Sequence, residues 1–325
     1  FLEKRAIVYD SVGVGLGQYR YDLIFNTYIS DPNGAFIAYT VPTGKRDPNT
    51  VIEGSQKFTI DLGRISGYPD ILIRGNNRLD YRGSGIDIRK LIQPEITDSL
   101  STRSRLVSRL EMIYSGKRRF RGWIENQQAL NGLDPRGNDL DHSNETGLEI
   151  DQAISRSITI KNRGQFRTKS VESTVSTLRN RDVKGWWNET QLQVKLNESM
   201  DFDLGIMGGF DSGSQQGDSF SAQGYGVLLN GRFFFKKTGR FQSQISLVNA
   251  SATNTVTFQS EDAAEKNKLL YLPPEALNGY PVGTSLRSNT RLQYFLNRSV
   301  SMIFTLNTIE DSRYNNLITF RGEIR

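Results

Sequence analysis

The chain has 325 residues, 36% of them hydrophobic and 23% charged, with a mean hydropathy of −0.49 and a net charge of +6. It has no cysteine and one histidine, which excludes disulfides, thiolate metal sites and a histidine-based zinc site. No stretch of about 18 apolar residues occurs, so no helix can cross a membrane; a strand-built membrane wall stays possible, because only alternate residues of each strand need be apolar.

The 41 basic and 35 acidic residues are interspersed, so the positive excess gives no reason to expect nucleic acid as a partner. Residues 1–33 read as a small β/loop segment or plug. Gly13, Gly15 and Gly17 are spaced G-x-G-x-G. A dinucleotide loop needs its third glycine where Gln18 stands, with a helix after it, and 21–25 has no helical period. A glycine-rich turn or strand is expected instead. Asp31-Pro32-Asn33-Gly34 is a turn by its chemistry: proline presets φ, and Asn and Gly tolerate positive φ. Strands are expected over 35–41, 56–62, 71–81 and 104–115, with a loop over 83–101 that has room for a helical turn at 86–92. Lys117, Arg118, Arg119 and Arg121 form a basic cluster beside Phe120 and Trp123. Nucleic acid or anionic headgroups would suit it, but a solvated hairpin end is the favoured reading.

Residues 130–144 read as a polar loop. Asp134, Asn138, Asp139 and Asp141 could offer oxygen ligands to calcium, though not at the spacing of the helix–loop–helix calcium loop. His142 stands alone, and no serine sits in a G-x-S-x-G context. No catalytic residue, no cofactor and no enzymatic activity are expected.

From Glu145 the alternation becomes regular, and 145–325 carries the clearest strands. Leu148 and Ile150 oppose Glu145, Glu149 and Asp151; Ile158, Ile160 and Phe166 oppose Lys161, Arg163 and Arg167. If these two strands pair, acids face bases across the polar side. Leu192, Val194 and Leu196 oppose Glu189 and Lys195. Phe202, Leu204, Ile206 and Phe210 oppose Asp201, Asp203 and Asp211. Tyr225, Val227 and Leu229 follow, then Phe241, Ile245 and Leu247. Connections near 127–143, 169–184, 212–222 and 251–283 read as long, the last with room for a helical turn at 261–268. Those near 116–118, 154–156, 198–199, 237–239 and 297–299 read as short. Trp186, Trp187, Tyr225, Tyr294 and Tyr314 lie where an aromatic girdle would be.

The last 42 residues hold three long strands in succession. Leu286, Leu292 and Tyr294 share one face, as do Met302, Phe304 and Leu306, and then Ile318, Phe320 and Ile324. The opposite face carries Arg287, Arg291, Arg321 and Glu323. Period two over about ten residues suits a tilted membrane strand, which needs roughly 9–11. The fold expected is an all-β antiparallel up-and-down meander, a transmembrane barrel of about fourteen strands over 34–325. Its polar interior would be lined by Glu145, Glu149, Lys161, Arg163, Arg167, Glu189, Lys195, Arg287, Arg291, Arg321 and Glu323.

With YDSVGVGLGQYRYD (9–22), DPNGAFIAYTVPTG (31–44), NGLDPRGNDLD (131–141), GWWNET (185–190) and LPPEALNGYPVG (272–283) with its strands to FRGEIR, the chain resembles outer-membrane β-barrel proteins of Gram-negative bacteria. More narrowly, it resembles the C-terminal region of large surface proteins. The resemblance implies an envelope location, with outer-membrane lipid and other envelope proteins as partners. It implies a pore, an anchor or part of a cell-surface complex, with no catalytic residue. It also implies a larger portion before Phe1 and a continuation past Arg325 to an outward aromatic residue. The alternative is an extracellular β-sandwich, soluble or fibre-forming, that binds glycans or partner chains and buries its apolar face between two sheets.

The two readings part at Phe304. On a lipid-facing wall, Phe304→Arg costs roughly 2–4 kcal/mol at mid-strand, and a spin label there reports lipid. A label in a packed protein core or in bulk water rejects the membrane wall.

Overall fold

The computed structural model describes residues 2–23, 26–66, 70–85, 101–116, 118–175, 179–215, 218–235, 238–253, 272–296, 300–313 and 316–324. The helical turns expected at 86–92 and 261–268, the reversal at 297–299, Tyr314 and Arg325 lie outside them.

Four strands make a small N-terminal sheet: β1 (Leu2–Ser11), β2 (Gly17–Asp22), β3 (Thr27–Gly34) and β4 (Phe36–Asp47), in the order β1-β4-β2-β3. The glycine run before β2 forms a turn and leads into a strand, not a helix. A second sheet holds thirteen strands. It begins with β5 (Thr50–Asp61), the short helix α1 (Leu62–Ser66), β6 (Ile71–Gly83), β7 (Ser101–Ser115) and β8 (Arg118–Asp134). It continues through β9 (Gly137–Ala153), β10 (Ile158–Ser173), β11 (Arg181–Asn197), β12 (Met200–Gln215) and β13 (Asp218–Phe235). It ends with β14 (Gly239–Thr253), β15 (Gly283–Phe295), β16 (Ser301–Glu310) and β17 (Leu317–Ile324). Each strand pairs antiparallel with its sequence neighbours, so this sheet is one unbroken meander.

The expected alternation survives as an outward and an inward face. Leu110, Met112, Ile124, Leu204, Ile206 and Phe320 are all exposed, between 48% and 68%. Their neighbours on the other face include Trp123 at 3% and Asp211 at 0%. On β12, Met200, Phe202, Leu204, Ile206 and Phe210 face outward. They cover about 33 Å of strand, or ~25 Å at a 40° tilt, the height of a membrane band. The band ends on a cross-strand row, Phe166–Trp186–Phe210, and the next row outward, Thr168–Lys184–Ser212, is polar. No second sheet covers these apolar side chains among the described residues, which is not how a sandwich treats them.

Several expectations change. The loop expected over 130–144 is strand: β8 and β9 run to Asp134 and from Gly137, with a two-residue reversal between them. The loop expected over 212–222 is strand as well, with Gln215 paired to Asp218. In both places the apolar residues are few and irregularly spaced, so the hydrogen-bond ladder continues where apolar alternation has stopped. The strand expected at 35–41 belongs to β4 of the small sheet, and the large one holds thirteen strands among the described residues, against about fourteen expected. With an odd number, β5 and β17 run in the same direction. Among the described residues β17 pairs with β16 alone and β5 with β6 alone, so the seam that would close the expected barrel is not paired.

The connections sort by rim. Those after β7, β9, β11, β13 and β15 are two to five residues long. The opposite rim carries the long ones, after β6 and after β14. There Arg136 Nη1, at the tip of the β8–β9 hairpin, lies 3.3 Å from the Tyr19 hydroxyl and ties the small sheet to the large one. Arg136 also grips Asp134 at 2.6 Å and holds its carboxyl below the usual carboxylate range. Burial beside this pair pushes the Tyr9 phenol up. A depressed carboxylate contributes stability above its unfolded pKa and loses it as pH falls through the folded one. The hairpin tip should therefore stay closed at pH 5 and loosen progressively below about pH 4, read as loss of hydrogen-exchange protection, relative to intrinsic rates, at Arg136 and Gly137. Asp134→Asn should abolish that pH dependence.

Candidate functional site: the inner face and its inserted segment

The inner face is built from two clusters. The first surrounds Trp123 on β8. Its indole Nε1 donates to Glu145 Oε1 at 2.8 Å. The guanidiniums of Arg163, Arg109 and Arg121 stand 5.2, 5.7 and 5.9 Å from its ring, within reach for cation–π attraction. Arg109 pairs with Glu125 at 2.8 Å, and Arg121 pairs with Glu111 and lies 3.8 Å from Glu149. The indole can lie flat against β9 because residue 147 is glycine; a Cβ there would run into the six-membered ring. The cluster mixes three arginines with four glutamates, so the wall is polar and charged while its charges are neutralised locally.

The second cluster is a segment of the β14–β15 connection folded onto the inner face. Residues 272–282 include a short 3-10 turn, Ala276–Gly279. Ala276 and Leu277 are fully buried against Trp187, Met207, Phe220, Ala222, Leu228, Val248 and Ala250. The Tyr280 ring stacks on Trp187 at 6.0 Å, and its hydroxyl meets Ser246 Oγ at 3.1 Å. Arg287 covers the other side of that ring, 3.9 Å from its centroid, and donates to the Gly279 carbonyl. Arg313 reaches the same carbonyl at 3.1 Å. Leu277 and Asn278 take left-handed φ values of 47° and 56°; asparagine tolerates that region, but leucine adopts it only when held there.

The hold on them is Asp211. Its carboxylate accepts the Leu277 N–H and pairs with Arg167 at 2.7 Å, and Arg167 also donates to the Asn278 side chain. Arg167 reaches Asp211 across β11 because Gly185 lies between them in the ladder; a side chain there would collide with the carboxylate. Glu275 closes the segment from above with a two-pronged bond from Arg181 at 3.0 and 2.8 Å and with Lys169 at 3.5 Å.

All eleven residues expected to line an interior fall on the inner face by strand register. The structure gathers Glu145, Glu149 and Arg163 around Trp123, and Arg167 and Arg287 around the inserted segment. It does not gather the others: Lys161 lies opposite Asp151, Lys195 opposite Asp201, and Glu189 touches Gln191. Arg291 lines a separate cavity of about 270 Å³ with Asp203 and Arg232, and Arg321 pairs locally with Glu323 at 2.7 Å. The calcium candidates are engaged otherwise. Asp139 pairs with Arg179 at 2.8 Å, Asp141 with Lys169 at 3.1 Å and Asp134 with Arg136. No three metal-ligating side chains converge among the described residues. His142 faces outward, its Nε2 3.1 Å from the Asn126 amide. Trp187, placed with the girdle by sequence, points inward instead, while Trp186, Tyr225 and Tyr294 face outward. Sequence reading missed Trp123, Asp211, Leu277 and Tyr280. Leucine and tyrosine inside a Pro/Gly-rich connection were the available sign that this segment is packed.

No protein-family model matches the chain, and no curated protein matches it in sequence. Its fold matches solved structures. The open form of the ferric-catecholate import receptor Fiu from E. coli K12 is 10% identical, with a TM-score of 0.50 over 90% of this chain and 59% of that one. The closed form of that receptor gives 0.47 at 10% identity, over 86% and 52%. The chain thus spans 59% of the length of the open-form receptor. At this identity the likeness to the open form shows the fold alone, an all-β antiparallel meander.

The tight fit at residue 147 can be tested directly. Gly147→Leu should expel the indole and cost about 1–3 kcal/mol. In a background lacking Trp186 and Trp187, Trp123 emission should shift to the red and become open to a water-soluble quencher.

Proposed function

We propose that the chain forms the wall of a β-barrel in the bacterial outer membrane whose interior is obstructed by its own 272–282 segment. It acts as a plugged or gated passage, or as an anchor within a surface complex, and not as a constantly open pore. The observation that carries this reading is the segregation of the thirteen-stranded sheet. One face presents an uncovered apolar band of membrane height, and the other presents paired charges and the packed segment. The likeness to a solved import receptor supports the fold. Uptake of a solute is what that receptor's name says of it, and for this chain it is part of the proposal. No catalytic role is assigned to any residue, and lipid is the partner of the outward face.

A second reading, a surface β protein outside the membrane, draws on one observation, the unpaired edges of β5 and β17. Fractionation separates the two. The barrel reading expects the chain to need detergent for extraction and to migrate anomalously in SDS until heated; a chain that stays in the aqueous fraction rejects it. In planar bilayers the intact chain should conduct little. Deleting 272–282 should raise conductance several-fold, and charge reversal at Arg291 or Arg321 should then alter ion selectivity. Unchanged conductance after the deletion would show that the segment does not obstruct the passage.

A further inference from the structure

A cavity of about 800 Å³ opens on the inner face toward the long-loop rim, over strands β6–β11. Its volume is that of a small-molecule site. Ala129 forms part of its floor, between Arg105 and Asp141 in the ladder. Most charges around it have partners. Asp139 is held by Arg179 and Asp141 by Lys169; Arg181 is held by Glu275, and Asp80 meets Arg82 at 3.6 Å. Two arginines of the lining have no carboxylate partner among the described residues: Arg105, which donates only to the Gln127 side-chain carbonyl at 3.2 Å, and Arg103. Arg103 also stands directly opposite Arg82 in the ladder. Like charges in that position repel, and nothing on these two strands offsets them beyond Asp80.

Arg103 and Arg105 are two residues apart on β7, on one face, with Cα atoms about 7 Å apart. Two guanidinium forks at that separation match an oxyanion, which accepts charge-assisted bonds from both. We propose that this cavity binds a soluble anion bearing phosphate or carboxylate groups, held between Arg103 and Arg105. The site deepens the barrel reading and rests on it: the inner face is the watery one, so the anion arrives from solution and not from a lipid headgroup.

The test is calorimetric titration of the full chain in neutral detergent with inorganic phosphate, with citrate and with dihexanoyl phosphatidic acid, against sodium chloride at matched ionic strength. Phosphate or citrate should bind saturably. The double variant Arg103→Gln, Arg105→Gln should weaken that binding at least about tenfold, the scale of losing charge-assisted bonds. Arg103→Lys with Arg105→Lys should fall between, and Arg291→Gln, outside the cavity, should bind as the unaltered chain does. Absence of phosphate and citrate binding to the unaltered chain overturns the site without recourse to any variant. Equal binding by the double glutamine variant overturns it too, as does binding of the lipid phosphate alone. A chain that needs detergent yet binds no anion loses only this site; a chain soluble without detergent loses the barrel reading whatever the titration gives.

Discussion

Backbone hydrogen bonding is the constraint on which the rest of this structure depends. In the membrane wall proposed above, every N–H and C=O in the apolar band has to find a partner within the protein. The chain meets that demand, except along the outer edges of β5 and β17, with a thirteen-stranded meander in which each strand pairs with the next. Once the ladder is in place, period two does the remaining work. Every strand shows lipid-compatible side chains on one side and can place Arg, Glu, Asp and Asn on the other. The same constraint singles out β5 and β17. Both carry the outward apolar pattern of the internal strands, with Phe58 and Ile60 on one and Ile318 and Phe320 on the other. Their charges, Glu53 and Lys57 on β5 and Arg321 and Glu323 on β17, lie on the opposite face, and neither strand holds a proline.

The inner face follows a second rule, that buried charge must be paired. Around Trp123 the pairing is local and repeated across neighbouring strands. At Asp211 it is long-range and carries conformational weight. A fully buried carboxylate faces Arg167 on one side and a backbone N–H of the inserted segment on the other. That N–H belongs to Leu277, whose left-handed backbone is disfavoured for leucine. Burial of its side chain and the bond to Asp211 together offset the strain. The segment is therefore a packed part of the wall, anchored by Glu275 at one end and by the Gly279 carbonyl at the other.

Charge is spread unevenly over this face. The region around Trp123 is balanced, and so is the seat of the inserted segment. The stretch formed by β6 and β7 toward the long-loop rim is not, because Arg82, Arg103 and Arg105 share it with Asp80 alone. Uncompensated guanidiniums beside a wide cavity are a feature of recognition more than of stability, since surface pairs contribute little to folding.

The sequence by itself determined the class of structure and its two faces. Alternation from Glu145 onward requires antiparallel strands with a polar side. The acids of β9 do fall opposite the bases of β10, Glu149 against Arg163 and Glu145 against Arg167. Local periodicity carries that information because neighbouring side chains on a strand point to opposite faces whatever lies beyond. Three things only the tertiary structure decided. The hairpins at 130–144 and 212–222 continue as strand because a ladder needs no apolar residue to persist, so no periodic signal marked them. Trp186 and Trp187 face opposite sides by that same alternation, but only the fold sets Trp187 under the inserted segment, stacked on Tyr280. The 272–282 segment takes its place through Arg181 and Glu275, 94 residues apart, and through Asp211 and Leu277, 66 apart. Those contacts exist only once the sheet brings β11, β12 and the loop together, and no local pattern encodes them.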